Sequence, residues 1–165
     1  MVNVLFICKG NVFRSMAAEK CMLYYIKQHN ISNINVRSAG IGVKPQKPLK
    51  AVIQRLSFYV GHFEHTPKQI DKQLVRWADI IIAMGLNHKE YINQKFNTKT
   101  YLFNEVAYNL YKPVLDFEER LPDISLPVTD KEEKVRQYAY YTIDYICKAI
   151  PEIIRNLKKY TNKNI

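Results

Sequence analysis

The sequence predicts an α/β fold, a single three-layer domain in which a four-stranded parallel sheet carries helices on both faces. Two observations predict it. Strand-like segments of four or five residues fall at 4–7, 34–37, 79–83 and 100–103. Between them lie stretches whose apolar residues recur at three- and four-residue steps, the period of a helix with one buried face. Strands that alternate with helices in this way build a parallel sheet joined by crossover helices. At 165 residues the chain is read as one domain, 1–165, with no internal repeat or linker.

In chain order, Val4-Leu5-Phe6-Ile7 forms the first strand and leads into a turn containing Gly10 and Asn11. A helix follows from near Ser15 to about residue 30. Its stripe holds Ala17, Ala18, Cys21, Met22, Tyr25 and Ile26, so Cys21 is expected as a packed thiol. The second strand ends in Ser38-Ala39-Gly40, small residues that let its backbone lie close beneath the first turn. A loop with Lys44, Lys47 and two prolines precedes a helix over 49–60, closed by Gly61 as its C-cap. Pro67 is expected at a helix start, with Ile70, Leu74 and Trp77 on one face. His65 is assigned a structural hydrogen-bonding role. After the third strand come a short helix over 88–96 and the fourth strand. The stretch 104–119 reads as loop with short helices, and 121–127 as a proline-bounded loop. Thr129 and Glu132 have the spacing of a capping box that opens a last helix running to about Tyr160. Pro151 should kink or divide that helix, Cys147 should lie buried near its inner face, and 160–165 should be a frayed basic tail.

Composition narrows the function classes. Apolar residues make up 47 % and charged residues 24 %, ordinary values for a globular domain. No apolar run is long enough to span a bilayer, and the N-terminal apolar stretch reads as a core strand, not a leader. Three cysteines, odd in number and widely spaced, argue against a disulfide framework or a zinc site and fit a reducing cytoplasm. The net charge of +10 favours phosphorylated or acidic partners. It is not accompanied by any nucleic-acid recognition module, so nucleic acid is set aside.

The chemistry concentrates in Cys8-Lys9-Gly10-Asn11-Val12-Phe13-Arg14-Ser15. A loop between a strand end and a helix start has backbone N–H groups free for an anion, with the positive end of the helix dipole behind them. Arg14 offers a planar fork suited to two oxygens of a tetrahedral oxyanion. Cys8 at the rim would feel both fields, which favour the nucleophilic thiolate. The whole loop, Lys9 to Ser15, is therefore assigned to phosphate or sulfate binding, and Cys8, Arg14 and Ser15 to catalysis. No metal or cofactor is required, because the loop and Arg14 supply the positive charge.

Cys-x5-Arg-Ser near the N-terminus resembles the low-molecular-weight protein tyrosine phosphatase family, whose fold and loop are shared by thioredoxin-coupled arsenate reductases. The likeness extends to Ser38-Ala39-Gly40, to Gly61 through Gln69, and to Ala78 through Met84 with His88. It implies a cytoplasmic phosphomonoester hydrolase acting on a phosphorylated protein or small phosphomonoester through a cysteinyl-phosphate on Cys8. The family's general acid is the aspartate of an Asp-Pro pair before the last helix. Here Leu126-Pro127 stands at the place matched to it, which leaves two readings: Asp123 in the same loop as a weak substitute acid, or Asp123 as a turn carboxylate with turnover relying on activated leaving groups. Phe13 occupies the position of a second loop cysteine in many relatives. The loop 42–48 and the residues after Pro127 lack the aromatics of tyrosine-directed relatives, so the cleft walls are expected to be unsuited to a phenyl ring. Two alternatives stand beside hydrolysis: a phosphoprotein-binding module with vestigial catalysis, and an arsenate reductase using an external thiol.

Overall fold

The computed structural model describes residues 1–120, 128–161 and 163, with side chains left aside at 128–130. Four parallel strands, β1 (Val2–Cys8), β2 (Ile34–Gly40), β3 (Ile80–Ala83) and β4 (Tyr101–Leu102), form one sheet in the order β2-β1-β3-β4. Strand β1 is central and almost wholly buried, which explains its unbroken apolar run. Its side chains alternate between two cores. Val2, Val4, Phe6 and Cys8 face one; Leu5 and Ile7 face the other.

The first face is covered by α1 (Arg14–Gln28), α2 (Lys50–Val60), α5 (Phe103–Tyr108) and α7 (Val128–Thr161). The second is covered by α3 (Lys72–Trp77) and α4 (Leu86–Phe96). A short helix, α6 (Phe117–Arg120), follows α5. The order change between β2-β1 and β1-β3 places a switch point at the carboxyl end of β1, where ligands of open parallel sheets bind.

Several expectations are corrected. Residues 67–70 do not start a helix: Gly40 and Gln69 form a parallel bridge, and α3 begins later, where Asp71 accepts the Leu74 N–H at 2.8 Å as its N-cap. Pro151 does not divide α7, which runs through it as one helix. The terminal residues are tied down as far as they are described. Tyr160 stacks edge-on against Tyr101 and donates to the Glu105 carbonyl at 3.0 Å. Lys163 reaches Asp79 at 2.8 Å. Cys21 and Cys147 form a disulfide, with Cα atoms 5.3 Å apart and 126 residues apart in sequence. Such a separation carries no pattern in the sequence; the packing of α1 against α7 creates the pair. Gly61, at φ 74°, caps α2 as expected. The Thr129 side chain of the expected capping box lies outside the described residues.

Candidate active site

The strand–loop–helix unit places Cys8 at the last residue of β1 and Arg14 and Ser15 in the first turn of α1. The loop between them is held from its carbonyl side. The Cys8 carbonyl accepts from Ile41 N–H and the Lys9 carbonyl from Gly42 N–H, both at 3.0 Å. The His65 Nε2–H donates to the Asn11 carbonyl at 2.7 Å, which is the structural role expected of that histidine. Burial holds the His65 imidazole below the usual histidine range, so it serves as a neutral donor. Gly40 is needed for this close approach, because a Cβ there would lie 2.4 Å from the Lys9 carbonyl oxygen.

Asn11 is fully buried, sits at φ 56° and organises the polar network under the loop. Its Oδ1 accepts the Lys68 N–H at 2.9 Å, which fixes the orientation of the amide. Its Nδ2 donates to Ser15 Oγ at 2.9 Å and to Ser38 Oγ at 2.8 Å. Ser15 Oγ accepts that hydrogen, and its own hydroxyl hydrogen points at Cys8 Sγ, 2.9 Å away, the nearer of its two acceptors; the Ala39 carbonyl lies at 3.5 Å. The Asn11 N–H also reaches the sulfur, at 3.3 Å. Two donors thus converge on Cys8, whose side chain is buried at the cavity floor. Ser38 Oγ, which accepts the second amide hydrogen, passes its own to the Glu19 carboxylate.

The Arg14 side chain is only 2 % exposed. Its Nη1 donates to the Val114 carbonyl at 2.7 Å and its Nη2 to Asp116 Oδ2 at 2.9 Å. A buried guanidinium needs such partners, because an uncompensated charge at that depth is strongly destabilising. The segment bearing Asp116 is anchored on three sides. The Val114 N–H bonds the Met84 carbonyl at 2.7 Å, the Tyr138 hydroxyl donates to the Leu115 carbonyl at 2.7 Å, and Asn104 holds the Lys112 carbonyl at 3.0 Å. Asp116 Oδ1 also accepts the Phe117 N–H at 2.9 Å, so both carboxylate oxygens are oriented.

These elements enclose a cavity of about 260 Å³ with Cys8 and Arg14 in its floor. Lys9, Gly10, Val12 and Phe13 continue the floor. Gly42, Lys44, Gln46, Lys47, Leu49 and Val52 form one wall, and Asp116, Phe117 and Glu118 the other. The expected loop residues Cys8 to Ser15 are therefore brought together, Asn11 and Ser15 as the support beneath the sulfur. Asp123, Leu126 and Pro127 lie outside the described residues. The fold brings two carboxylates to Arg14, Asp116 at 2.9 Å and Glu119 at 3.7 Å, and of these Asp116 lines the cavity, a placement that sequence reasoning missed. Its one signal is an acidic residue directly after the apolar pair Val114-Leu115, in a stretch that follows the fourth strand toward the sheet's carboxyl end. The wall from 42–52 carries no aromatic residue, as expected, but a segment that the expectation did not consider supplies one. Phe117 faces the cavity and stacks on Phe13 with ring centroids 4.5 Å apart and planes 14° apart.

Among the described residues no group of histidine, cysteine and carboxylate side chains could hold a metal ion. No helix among them is long and apolar enough to cross a membrane.

The chain matches the family model for low molecular weight phosphotyrosine protein phosphatase over residues 3–163. It is similar to a protein-arginine-phosphatase of Bacillus subtilis strain 168, 29 % identical over 143 residues that cover 84 % of this chain and 95 % of the relative. It is similar also to the low molecular weight protein-tyrosine-phosphatase Ptp of Acinetobacter johnsonii, 28 % identical over 96 residues, 56 % of this chain and 63 % of that one. Among solved structures, a mutant of YwlE from Bacillus subtilis superposes with a TM-score of 0.77 at 23 % identity, covering 96 % of this chain and 99 % of the other. With a cysteine at the floor of the cavity and a match along nearly its whole length, this chain belongs to the low molecular weight phosphotyrosine protein phosphatases, a family of cysteine-dependent phosphatases.

Proposed function

We propose that the protein removes the phosphoryl group from side chains of phosphorylated proteins in two displacements at phosphorus. The observation that carries this reading is the placement of Cys8, Arg14 and Asp116 around one cavity. The Cys8 thiolate attacks phosphorus, and the bond to the leaving oxygen breaks. Arg14 and the N–H groups at the start of α1, which have no acceptor within the helix, hold the non-bridging oxygens. Asp116, released by Arg14 as that guanidinium turns to the phosphoryl oxygens, gives a proton to the leaving oxygen. Its carboxylate then takes a proton from the water that attacks the cysteinyl-phosphate, and the thiolate departs. The Ser15 hydroxyl, aimed at the sulfur, stabilises that departing charge. Inorganic phosphate, the product, is expected to occupy the same loop and inhibit competitively.

Phosphotyrosine is supported by the apolar and aromatic surround of Val12, Phe13, Leu49, Val52 and Phe117, against which a phenyl ring can pack. Phosphoarginine is the second reading, supported by Asp116 and Glu118 on one wall, which would pair with a guanidino group. Because kinases and ATP supply such substrates, we infer a cytoplasmic site of action.

Hydrolysis of p-nitrophenyl phosphate, compared with phenyl phosphate, tests the mechanism. Cys8→Ser is expected to abolish both reactions. Asp116→Asn is expected to slow phenyl phosphate by about 10²–10³-fold and p-nitrophenyl phosphate by much less, because nitrophenolate leaves without a proton. Equal losses on both substrates would remove Asp116 from the role of acid.

A further inference from the structure

We propose that Lys44 and Lys47 read an acidic side chain next to the phosphorylated residue, so that the enzyme selects phosphoprotein segments with acidic flanks. This rests on the phosphatase reading and adds a determinant of substrate choice to it. The cavity is electrostatically lopsided. One wall carries Asp116 and Glu118, and the other carries Lys44 and Lys47. Arg14 in the floor serves the phosphoryl group, so the two lysines at the rim are in excess of what a phosphate needs. Both are exposed, and neither makes an ion pair or side-chain hydrogen bond among the described residues. Lys9, by contrast, lies 3.8 Å from Glu118 across the mouth.

The segment that bears the lysines is held in shape. Gly42 N–H bonds the Lys9 carbonyl at 3.0 Å, and Val43 N–H bonds Gln69 Oε1 at 2.9 Å. Gln69 Nε2 returns a bond to the Ile41 carbonyl at 2.9 Å. Pro45 and Pro48 restrict the backbone around the two lysines. Unpaired cations on an anchored wall lose little further backbone entropy when they take a partner. A substrate whose phosphoryl group reaches the floor keeps its backbone at the mouth. The residues one or two positions along that backbone lie about 4–7 Å away, within reach of a lysine stem. Carboxylates there would meet Lys44 and Lys47 and avoid Glu118, which also sets the direction in which the segment lies across the cleft.

The test uses a phosphotyrosyl peptide with Asp or Glu at the flanking positions and its counterpart with Asn or Gln there. The readout is the ratio of kcat/KM for the two, which cancels any general loss of activity. Wild type is expected to favour the acidic peptide about five-fold or more, chiefly through KM, with the ratio falling as ionic strength rises. In Lys44→Ala/Lys47→Ala the ratio is expected to approach one. In Lys158→Ala/Lys159→Ala, which removes the same charge at the far end of α7, it is expected to stay near the wild-type value. An unchanged ratio in the first variant, or an equal fall in both, would overturn the proposal in favour of net charge alone. Titration of the two peptides against Cys8→Ser decides the point without turnover. Failure of the phosphatase reading would instead show as wild-type protein that hydrolyses neither p-nitrophenyl phosphate nor peptide.

Discussion

Asn11 shows how much one residue can carry. Its left-handed backbone, its two amide hydrogens and its carbonyl are all committed to shaping the loop and aiming Ser15 at Cys8. His88 shows the opposite case, a titratable group kept silent. It is 1 % exposed, accepts the Gly85 N–H on Nδ1 at 2.9 Å, and has no hydrogen-bond partner for Nε2. Burial, with the nearby charges of Arg14 and Lys9, pushes its imidazole down to about 3. The folded state therefore holds His88 neutral where the unfolded chain protonates it below its ordinary value near 6.5. Stability from this group is fully present above pH 6.5 and is lost as pH falls toward 3, because the unfolded state binds the extra proton. At pH 5 the loss is about 2 kcal/mol. Urea unfolding of wild type at pH 7 and 5 is expected to show that loss, and His88→Gln is expected to lack it. Equal pH dependence in the two proteins would refute the assignment.

At the scale of elements, catalysis depends on how closely β2 approaches the loop after β1. Gly40 pairs with Cys8, and a Cβ on it would also come within 3.1 Å of the Asn11 nitrogen and 2.7 Å of Val43 Cγ2. The loop backbone must shift to admit even a methyl group. Gly40→Ala is expected to leave the helical signal of the protein in place while lowering kcat/KM for p-nitrophenyl phosphate about 10²-fold. Retention of full activity would show that the loop tolerates the displacement. The elements themselves were partly legible. The helical period located α1, α2 and α7, and the apolar run located β1, because buried faces impose those patterns locally. Residues 67–70 misled because a proline at a helix start and a proline before a lone sheet bridge look alike in sequence. What separates them is Gly40, brought alongside by the fold.

For the whole molecule, the tie between α1 and α7 joins two distant parts of the chain. The Cys21–Cys147 bond closes a loop spanning 126 residues, which the chain-entropy account values at about 5 kcal/mol. For a domain of this size that corresponds to roughly 10–20 °C in melting temperature. Reductant is expected to lower the melting temperature of wild type by that order and to leave Cys21→Ala/Cys147→Ala unaffected. Alkylation of denatured, unreduced protein should label Cys8 alone, and three labels would show the pair to be open. In a reducing cytoplasm the same pair would rest as a dithiol, the tie forming on oxidation.

Read by itself, the sequence determined the fold class and the nucleophilic loop from Cys8 to Ser15, since both are written in contiguous residues whose spacing encodes burial and anion binding. Tertiary structure alone decided the remaining parts of the site. Asp116 lies 102 residues from Arg14, and Phe117 is far along the chain from Phe13, on which it stacks. The lysines of 42–49 face a cleft that exists only once β2 lies beside β1. Such groups meet because the sheet's strand order and the packing of α1, α2 and α7 bring them together. Contacts made by packing across a hundred residues leave no period or spacing in the chain.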